Sequence, residues 1–489
     1  MKEVILKEMS LPMALMWKVK NASVVIIFYW QILWKKQLNW LKDAHHWHLV
    51  QVWKSEKLFR LSNKEHIPQL TAHLFRENSG NMTAILSRIF GLQHLDLILD
   101  IVQDTFETAL TRWRFSGIPD NPSGWLMKVA KNKALNAVKR AQKSESFSPD
   151  LILPASIDLE DHFDQICTDH EIKDSQLRLL IICCQPVFSS RNQIIITLHI
   201  LSGFGVPEIA NALLMKEEAV KKSLSRCKSS FKAIPQLLNV PVVPPSNEQT
   251  EVLLRILYLI FNEGYKTTRA RKGINNDLCY EAIRLTKLLL NPKQACYHQV
   301  NALLALMFFN LSRFPARLTE TAEWLSLAEQ DRTLWEIKFI QEGFYYLDIS
   351  TQSTQLHRLH LEAIIASLHC TAPNFKQTNW TKIVYLYQQL ELLEPDSPYV
   401  RLNRIIAQSY LQNAAACIKE INALELSSEL RQSFLFSATK ADIYYRIGER
   451  DKAILAYEDA FQLSNAPLDK KFLLRKIAEC KSDGHKDSA

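Results

Sequence analysis

Glycine is scarce in this chain, with 11 in 489 residues, and runs in which β-branched residues alternate with polar ones are few. Sheet-rich folds, which need glycine at many turns, are thereby disfavoured; segments with apolar residues at roughly 3.6 spacing point to an almost all-helical protein. Hydrophobic runs are also short. The stretch from Ala22 to Trp34 has thirteen residues, below the roughly twenty needed to cross a bilayer. It fits a signal peptide poorly, because no small-residue cleavage site follows and Trp34, Lys35 and Lys36 come at once. The nine cysteines, at 167, 183, 184, 227, 279, 296, 370, 417 and 480, form no CxxC pair, and the histidines add no zinc-type spacing. They read as reduced core residues of a cytoplasmic protein, with neither metal nor cofactor expected. For the vicinal pair Cys183 and Cys184 a redox sensor is the alternative.

A chain of this length should hold about two to four domains. Apolar content of 47% and charged content of 22% suit a folded soluble protein. The net charge of +8 is unevenly spread. Basic residues gather in 1–66, 67–143 and 175–239, whereas 144–174 holds nine acidic residues against one lysine and reads as an acidic tether. Residues 1–66 carry six of the eleven tryptophans. They are expected to be a disordered extension or the product of a start codon set too far upstream. An interfacial segment using Trp30, Trp34 and Leu38 is the other reading.

From Ile67 a helical pattern runs to Phe90, where Gly91 ends it. The next helix turns Leu95, Ile98, Val102, Phe106 and Trp113 inward and sets Asp96, Asp100, Gln103, Asp104 and Glu107 along another face. Such acidic stripes are usually just solvated; here the stripe is a candidate protein-docking edge. Asn121 and Pro122 supply an N-cap and a first-turn proline for a helix from Ser123 to Lys143. On it Leu126, Val129, Ala130 and Ala137 face inward, while Lys128, Lys131, Asn132, Lys139 and Lys143 share the far side without an acid. With Trp113, Phe115 and Trp125 just before or within it, this face suits single-stranded nucleic acid: cations hold phosphates and aromatic rings stack on bases.

Two more helices, interrupted around Pro186, lead to the stretch from Gly205 to Lys232. It reads as two short helices joined by the turn Leu214, Met215, Lys216. Ile209 and Leu213 share the first helix's apolar face; Val220, Leu224, Cys227 and Phe231 form that of the second. Glu218, Lys222, Ser225 and Ser229 project oppositely, flanked by Lys221, Arg226 and Lys232. A helix-turn-helix and a surface helix with a solvated basic side both fit. A proline-punctuated boundary follows from Pro235 to Pro245.

In the second half, Ala441, Tyr444, Gly448, Ala453, Tyr457 and Ala460 fall at the small and aromatic offsets of a roughly 34-residue helical-hairpin repeat. Tyr387, Leu390, Pro395, Ala407 and Tyr410 echo parts of such units. The plain reading of all these offsets is packing. In LAEQDR, Glu329 and Asp331 stand beside Arg332 and close to Trp335. Acid/base chemistry would need a nucleophile, phosphate loop or metal cluster that does not accompany them; an intramolecular salt bridge or a contact to the N-terminal modules is expected. Asn262 to Tyr265, NEGY, reads as a helix end packed on a neighbour.

DIVQDTFETALTRW (100–113), NPSGWLMKVAKNKALNAVKR (121–140) and GVPEIANALLMKEEAVKKSLSRCKSSF (205–231) together resemble an extracytoplasmic-function (ECF) sigma factor of bacterial RNA polymerase. The helical stretches at 252–268, 277–289, 303–317 and 327–343 are similar to the C-terminal extension of one ECF subgroup with a tetratricopeptide-like (TPR-like) domain. The resemblance implies an all-α protein with sigma region 2 at 67–143, an acidic linker at 144–174 in the polymerase's RNA path, sigma region 4 at 175–239 and a TPR-like domain at 248–489. Asp100, Gln103, Asp104 and Glu107 would meet core polymerase. Trp125, Lys128, Lys131, Asn132 and Lys139 would hold the −10 strand, with the 115–123 loop receiving a flipped base. Glu218, Lys221, Lys222, Ser225 and Arg226 would enter the −35 groove, with Arg226 and Glu218 specifying bases. Partners would be core RNA polymerase, promoter DNA and a protein partner of the C-terminal domain, with no membrane partner and no catalysis. That domain would gate activity in place of a separate membrane anti-sigma factor. The alternative is a helix-turn-helix transcriptional activator with a TPR-like sensor domain.

Overall fold

The computed structural model describes residues 67–143, 168–213, 215–231, 245–265, 275–319, 323–411, 414–424, 433–464 and 466–484. Residues 1–66, most of the acidic tether and nearly all of the proline-punctuated boundary lie outside them. The protein is all-α: among the described residues there is no strand, only an isolated bridge between Leu318 and Trp324. The chain divides into two compact units within one helix, between Ile260 and Phe261.

The first unit opens with three long helices, α1 (Ile67–Phe90), α2 (Leu95–Ser116) and α3 (Pro122–Lys143). Gly91 ends α1 at φ 82, a left-handed conformation that a side chain would strain, and its N–H donates to the Ser87 carbonyl at 2.8 Å. Asn121 caps α3, its Oδ1 accepting from the Gly124 N–H at 2.9 Å. The helix begins at Pro122, one residue before the expected Ser123, because proline forgoes a donor that a first turn leaves unpaired anyway. The apolar faces expected of α2 and α3 pack together, with Ile98, Val102, Phe106 and Trp113 of α2 and Leu126 and Ala130 of α3 forming one core that Met82, Ile85 and Leu86 of α1 complete. Each large side chain so buried contributes roughly 1.5–3 kcal/mol.

Four shorter helices complete this unit: α4 (Asp169–Cys183), α5 (Ser190–Ile200), α6 (Val206–Ala212) and α7 (Glu217–Phe231). Thr168 and Ser189 cap α4 and α5 by accepting from backbone N–H groups three residues on. The interruption expected around Pro186 lies between them, and α4 starts inside the acidic stretch. Glu208 accepts the Gly205 N–H at 2.8 Å and so fixes the entry to α6. Phe188 meets Phe231 edge to face at 5.3 Å, closing this group's own core.

After α8 (Asn247–Tyr265), which carries the divide, the second unit stacks helix on helix: α9 (Asn276–Lys287), α10 (Tyr297–Leu311), α11 (Ile337–Ser350), α12 (Arg358–Thr371), α13 (Trp380–Leu393), α14 (Pro398–Gln408), α15 (Ala414–Leu424), α16 (Phe434–Arg446), α17 (Arg450–Leu463) and α18 (Pro467–Gly484). The helix α10 is buried nearly all round, from Val300 to Leu311, and is the centre of its end of the stack. Farther along, Ala441, Ala453 and Ala460 are fully buried, and Tyr457 fills the space beside them with Leu473 and Ile477 of α18. Small residues thus let α16 and α17 approach while the aromatic ring seals the gap.

Candidate nucleic-acid interface

The acidic edge stands on the outer side of α2. Its core side is fixed by Ile98, Val102 and Phe106, so Asp96, Asp100, Gln103, Asp104 and Glu107 all emerge into solvent. Gln103 donates to Glu107 at 3.2 Å, and Lys133 of α3 lies 3.7 Å from Asp104. Asp104, Glu107, Thr108, Thr111, Arg112 and Lys133 line a shallow groove. Lys133 was absent from the residues singled out in the sequence. Only the packing of α2 beside α3 brings it to Asp104.

On α3 the indole of Trp125 rests against the buried Trp113, ring centres 5.4 Å apart, and is itself half-buried. Lys128 and Asn132 are exposed and Lys131 is half-buried; the side chain of Lys139 lies outside the described ones. Phe115, just before the connection from α2 to α3, is 88% exposed, with Arg112 and Arg114 exposed beside it in sequence. The three aromatics named together in the sequence therefore divide their work: Trp113 is core, Trp125 covers it, and Phe115 alone presents its ring to solvent.

The third face is on α7. Val220, Leu224, Cys227 and Phe231 are buried, and Glu218, Lys221, Lys222, Ser225 and Arg226 are all exposed. Glu217 and Glu218 occupy the first turn, where carboxylates also favour the helix dipole, so packing chemistry alone accounts for an acid at 218. Leu214 of the connection between α6 and α7 lies outside the described residues. Lys228, which the sequence reading passed over, reaches Asp96 of α2 at 2.7 Å.

Cys183 and Cys184 are buried, and burial pushes the Cys184 thiol up to about 12 and that of Cys183 upward. Both are held as thiols, which favours the packing role over the redox one.

The LAEQDR motif is taken up by internal contacts. Glu329 accepts from Arg475 at 2.9 Å and Lys476 at 2.7 Å, both on α18, and from the Ser326 N–H at 2.7 Å. Burial would raise its carboxyl, but these donors outweigh it and hold the group at about 2. Asp331 caps a 3-10 turn through the Thr333 N–H at 2.9 Å. Arg332 donates to the carbonyls of His369 and Ala372 at 2.5 and 2.6 Å and lies 5.0 Å from the Trp335 ring centre. The expected internal salt bridge is there, made with a helix nearly 150 residues away. At the end of NEGY, Tyr265 carries the Arg317 guanidinium 3.6 Å over its ring, as expected of a packed helix end.

No described helix is long and apolar enough to cross a membrane, and among the described residues no three histidine, cysteine, aspartate or glutamate side chains converge as a metal site.

Comparison with known proteins covers the faces on α2 and α3. Residues 74–144, which include all of α2 and α3 and most of α1, match sigma-70 region 2. Residues 249–351 match a family of unknown function, DUF6596. The uncharacterized protein R00370 of Rhizobium meliloti (strain 1021) is 31% identical over 372 residues, covering 76% of this chain and 87% of that protein. No solved structure matches the chain. The protein belongs to the same family as R00370 of Rhizobium meliloti, and its sigma-70 region 2 supports a sigma factor of RNA polymerase.

Proposed function

We propose that the protein is an ECF-type sigma factor that joins core RNA polymerase, carries it to a promoter subset and helps to open the duplex. One observation carries this reading: the sigma-70 region 2 match spans a helix with a solvent-facing acidic edge and a neighbouring helix with an exposed basic face. In this role Asp100, Gln103, Asp104 and Glu107 dock on basic residues of the polymerase. Trp125, Lys128, Lys131, Asn132 and Lys139 hold the non-template strand at −10, where cations neutralise phosphates and a base flipped into the 115–123 loop lowers the cost of opening. The helices α6 and α7 act as the helix-turn-helix of sigma region 4. Lys221, Lys222 and Ser225 position the protein on the −35 backbone, while Arg226 and Glu218 read guanine and cytosine edges. The acidic tether at 144–174 separates the two modules and runs through the RNA path. The stacked helices after residue 248 act as a TPR-like domain that gates activity, replacing a membrane anti-sigma factor. Such a protein works in the cytoplasm.

The test is co-elution with core polymerase on gel filtration. The intact chain should co-elute, and the double variant Asp100→Lys with Glu107→Lys should not. Specific duplex binding by a chain that never co-elutes with polymerase would favour the activator with a TPR-like sensor domain.

A further inference from the structure

We propose that α18 is a latch: it closes the C-terminal helices into a ring by gripping the chain's own acidic segment 323–329, and an acidic segment of a partner protein opens the ring by taking over that grip. From α10 to α18 each helix packs on the one that follows. In an open repeat array the last helix would touch only its neighbour. Here it also turns back, onto the segment that joins α10 to α11.

The grip is built for carboxylates on an extended chain. Arg475 forks onto Glu329, with Nη1 2.9 Å from Oε1 and Nη2 3.2 Å from Oε2, and Nη2 also donates to the Trp324 carbonyl at 3.1 Å. Lys476 adds a third donor to that carboxylate at 2.7 Å, and Lys471, one turn earlier, holds Glu323 at 2.9 Å. Two features of α18 itself set the cations in place. The ring of Phe472 lies 5.4 Å from Arg475 and 5.8 Å from Lys476, and Glu479 braces the same two at 3.3 and 2.8 Å.

The two attachments of α18 differ in kind. Its apolar side, Leu473, Ile477 and Cys480, is buried with Ala453, Tyr457 and Ala460 of α17, and water offers no substitute for that packing. Its charged side is partly exposed and holds groups that any acidic chain can supply. The segment 323–329 has its own anchorage as well: Trp324 lies 4.7 Å from the Arg317 guanidinium, and the Leu325 N–H donates to the Arg317 carbonyl at 2.9 Å. The ring therefore parts at the seam between α18 and 323–329, with α18 still on α17. The partner implied presents two carboxylates six positions apart on an extended segment, as Glu323 and Glu329 stand. Tethering gives the chain's own segment a high effective concentration, so the closed ring is the resting state.

That opening alters transcription rests on the gating role proposed above; the latch itself does not. Spin labels on unnatural residues at Ala328 and Ala478, both exposed, report the seam in the full chain through their distance distribution. The intact protein should give one short, narrow distance. Glu329→Arg, which sets a cation against Arg475 and Lys476, should lengthen and broaden it. Glu329→Gln should do so to a lesser degree and serves if Glu329→Arg misfolds. A synthetic peptide of residues 319–331 should bind the Glu329→Arg chain about ten-fold more tightly than the intact chain, whose site is already filled. The same peptide with Glu323→Gln and Glu329→Gln should bind neither. Distances unchanged in both variants overturn the latch. Equal peptide binding by intact and Glu329→Arg chains, or binding of the neutral peptide, overturns the acidic partner. Distances that respond while run-off yield stays that of the intact chain leave the latch standing and count against the gating role.

Discussion

Glu329 and Arg475 stand 146 residues apart in sequence and 2.9 Å apart in space, and Lys476 approaches the same carboxylate at 2.7 Å. Two cations on one carboxylate tie the last helix to the LAEQDR segment. Glu329→Gln should therefore lower the stability of the C-terminal unit, by about 1 kcal/mol given its partial exposure. With a folded-state value near 2, the carboxylate's contribution is full above the usual carboxylate range and fades as pH falls from there through about 2. Urea midpoints of both proteins at pH 7 and pH 3 check it: the gap should narrow at pH 3.

Acid should loosen the same unit for a second reason. Burial lowers His360 to about 4, helped by His357, and lowers His369 to about 3, helped by Arg313 and Arg332. His369 Nδ1 is buried without a hydrogen-bond partner, and His360 Nδ1 already accepts from the His357 N–H, so a proton added at either nitrogen finds no acceptor. Both rings stay neutral when folded but protonate near 6.5 when unfolded. Stability is whole above pH 6.5 and falls below it, by up to ~1.4 kcal/mol per pH unit for each ring, until the folded values are reached. Calorimetry at pH 7 and pH 5 should show a lower melting temperature at pH 5, with a smaller drop in His369→Gln.

Trp113 is 1% exposed at the meeting point of α2 and α3. Trp113→Ala should cost about 3–5 kcal/mol, a core truncation, and Phe115→Ala, at an 88% exposed ring, less than ~0.5 kcal/mol. Equilibrium unfolding separates the two. Equal losses would mean that Phe115 packs in solution.

Lys222 and Arg226 project from α7 while Val220, Leu224 and Cys227 hold its other side. Lys222→Ala with Arg226→Ala should leave folding within about 0.5 kcal/mol and core binding intact, yet abolish −35-dependent transcription. A pull-down that lost polymerase with this double variant would contradict the division of labour between α2 and α7.

Local pattern made much of this legible in sequence. The end of α1 at Gly91, the Asn121 cap and the buried face of α7 each depend on residues within a few positions of one another, and all three stand as read. Pairings between distant segments were not legible. Nothing near Asp104 announces Lys133, nothing near Asp96 announces Lys228, and Gly80 carries no local sign of the Leu201 carbonyl opposite it. A stripe of acids looks the same in sequence whether it is free or clasped; only the fold shows that two of its members have internal cations.

Run-off transcription tests the central claim most directly: core polymerase with the full chain, on a genomic promoter library, with and without the protein. Discrete starts downstream of a shared −35/−10 pair, dependent on the protein and lost with Lys222→Ala and Arg226→Ala, are the expected result. Specific duplex binding with no transcript in the same reactions would contradict the sigma-factor account.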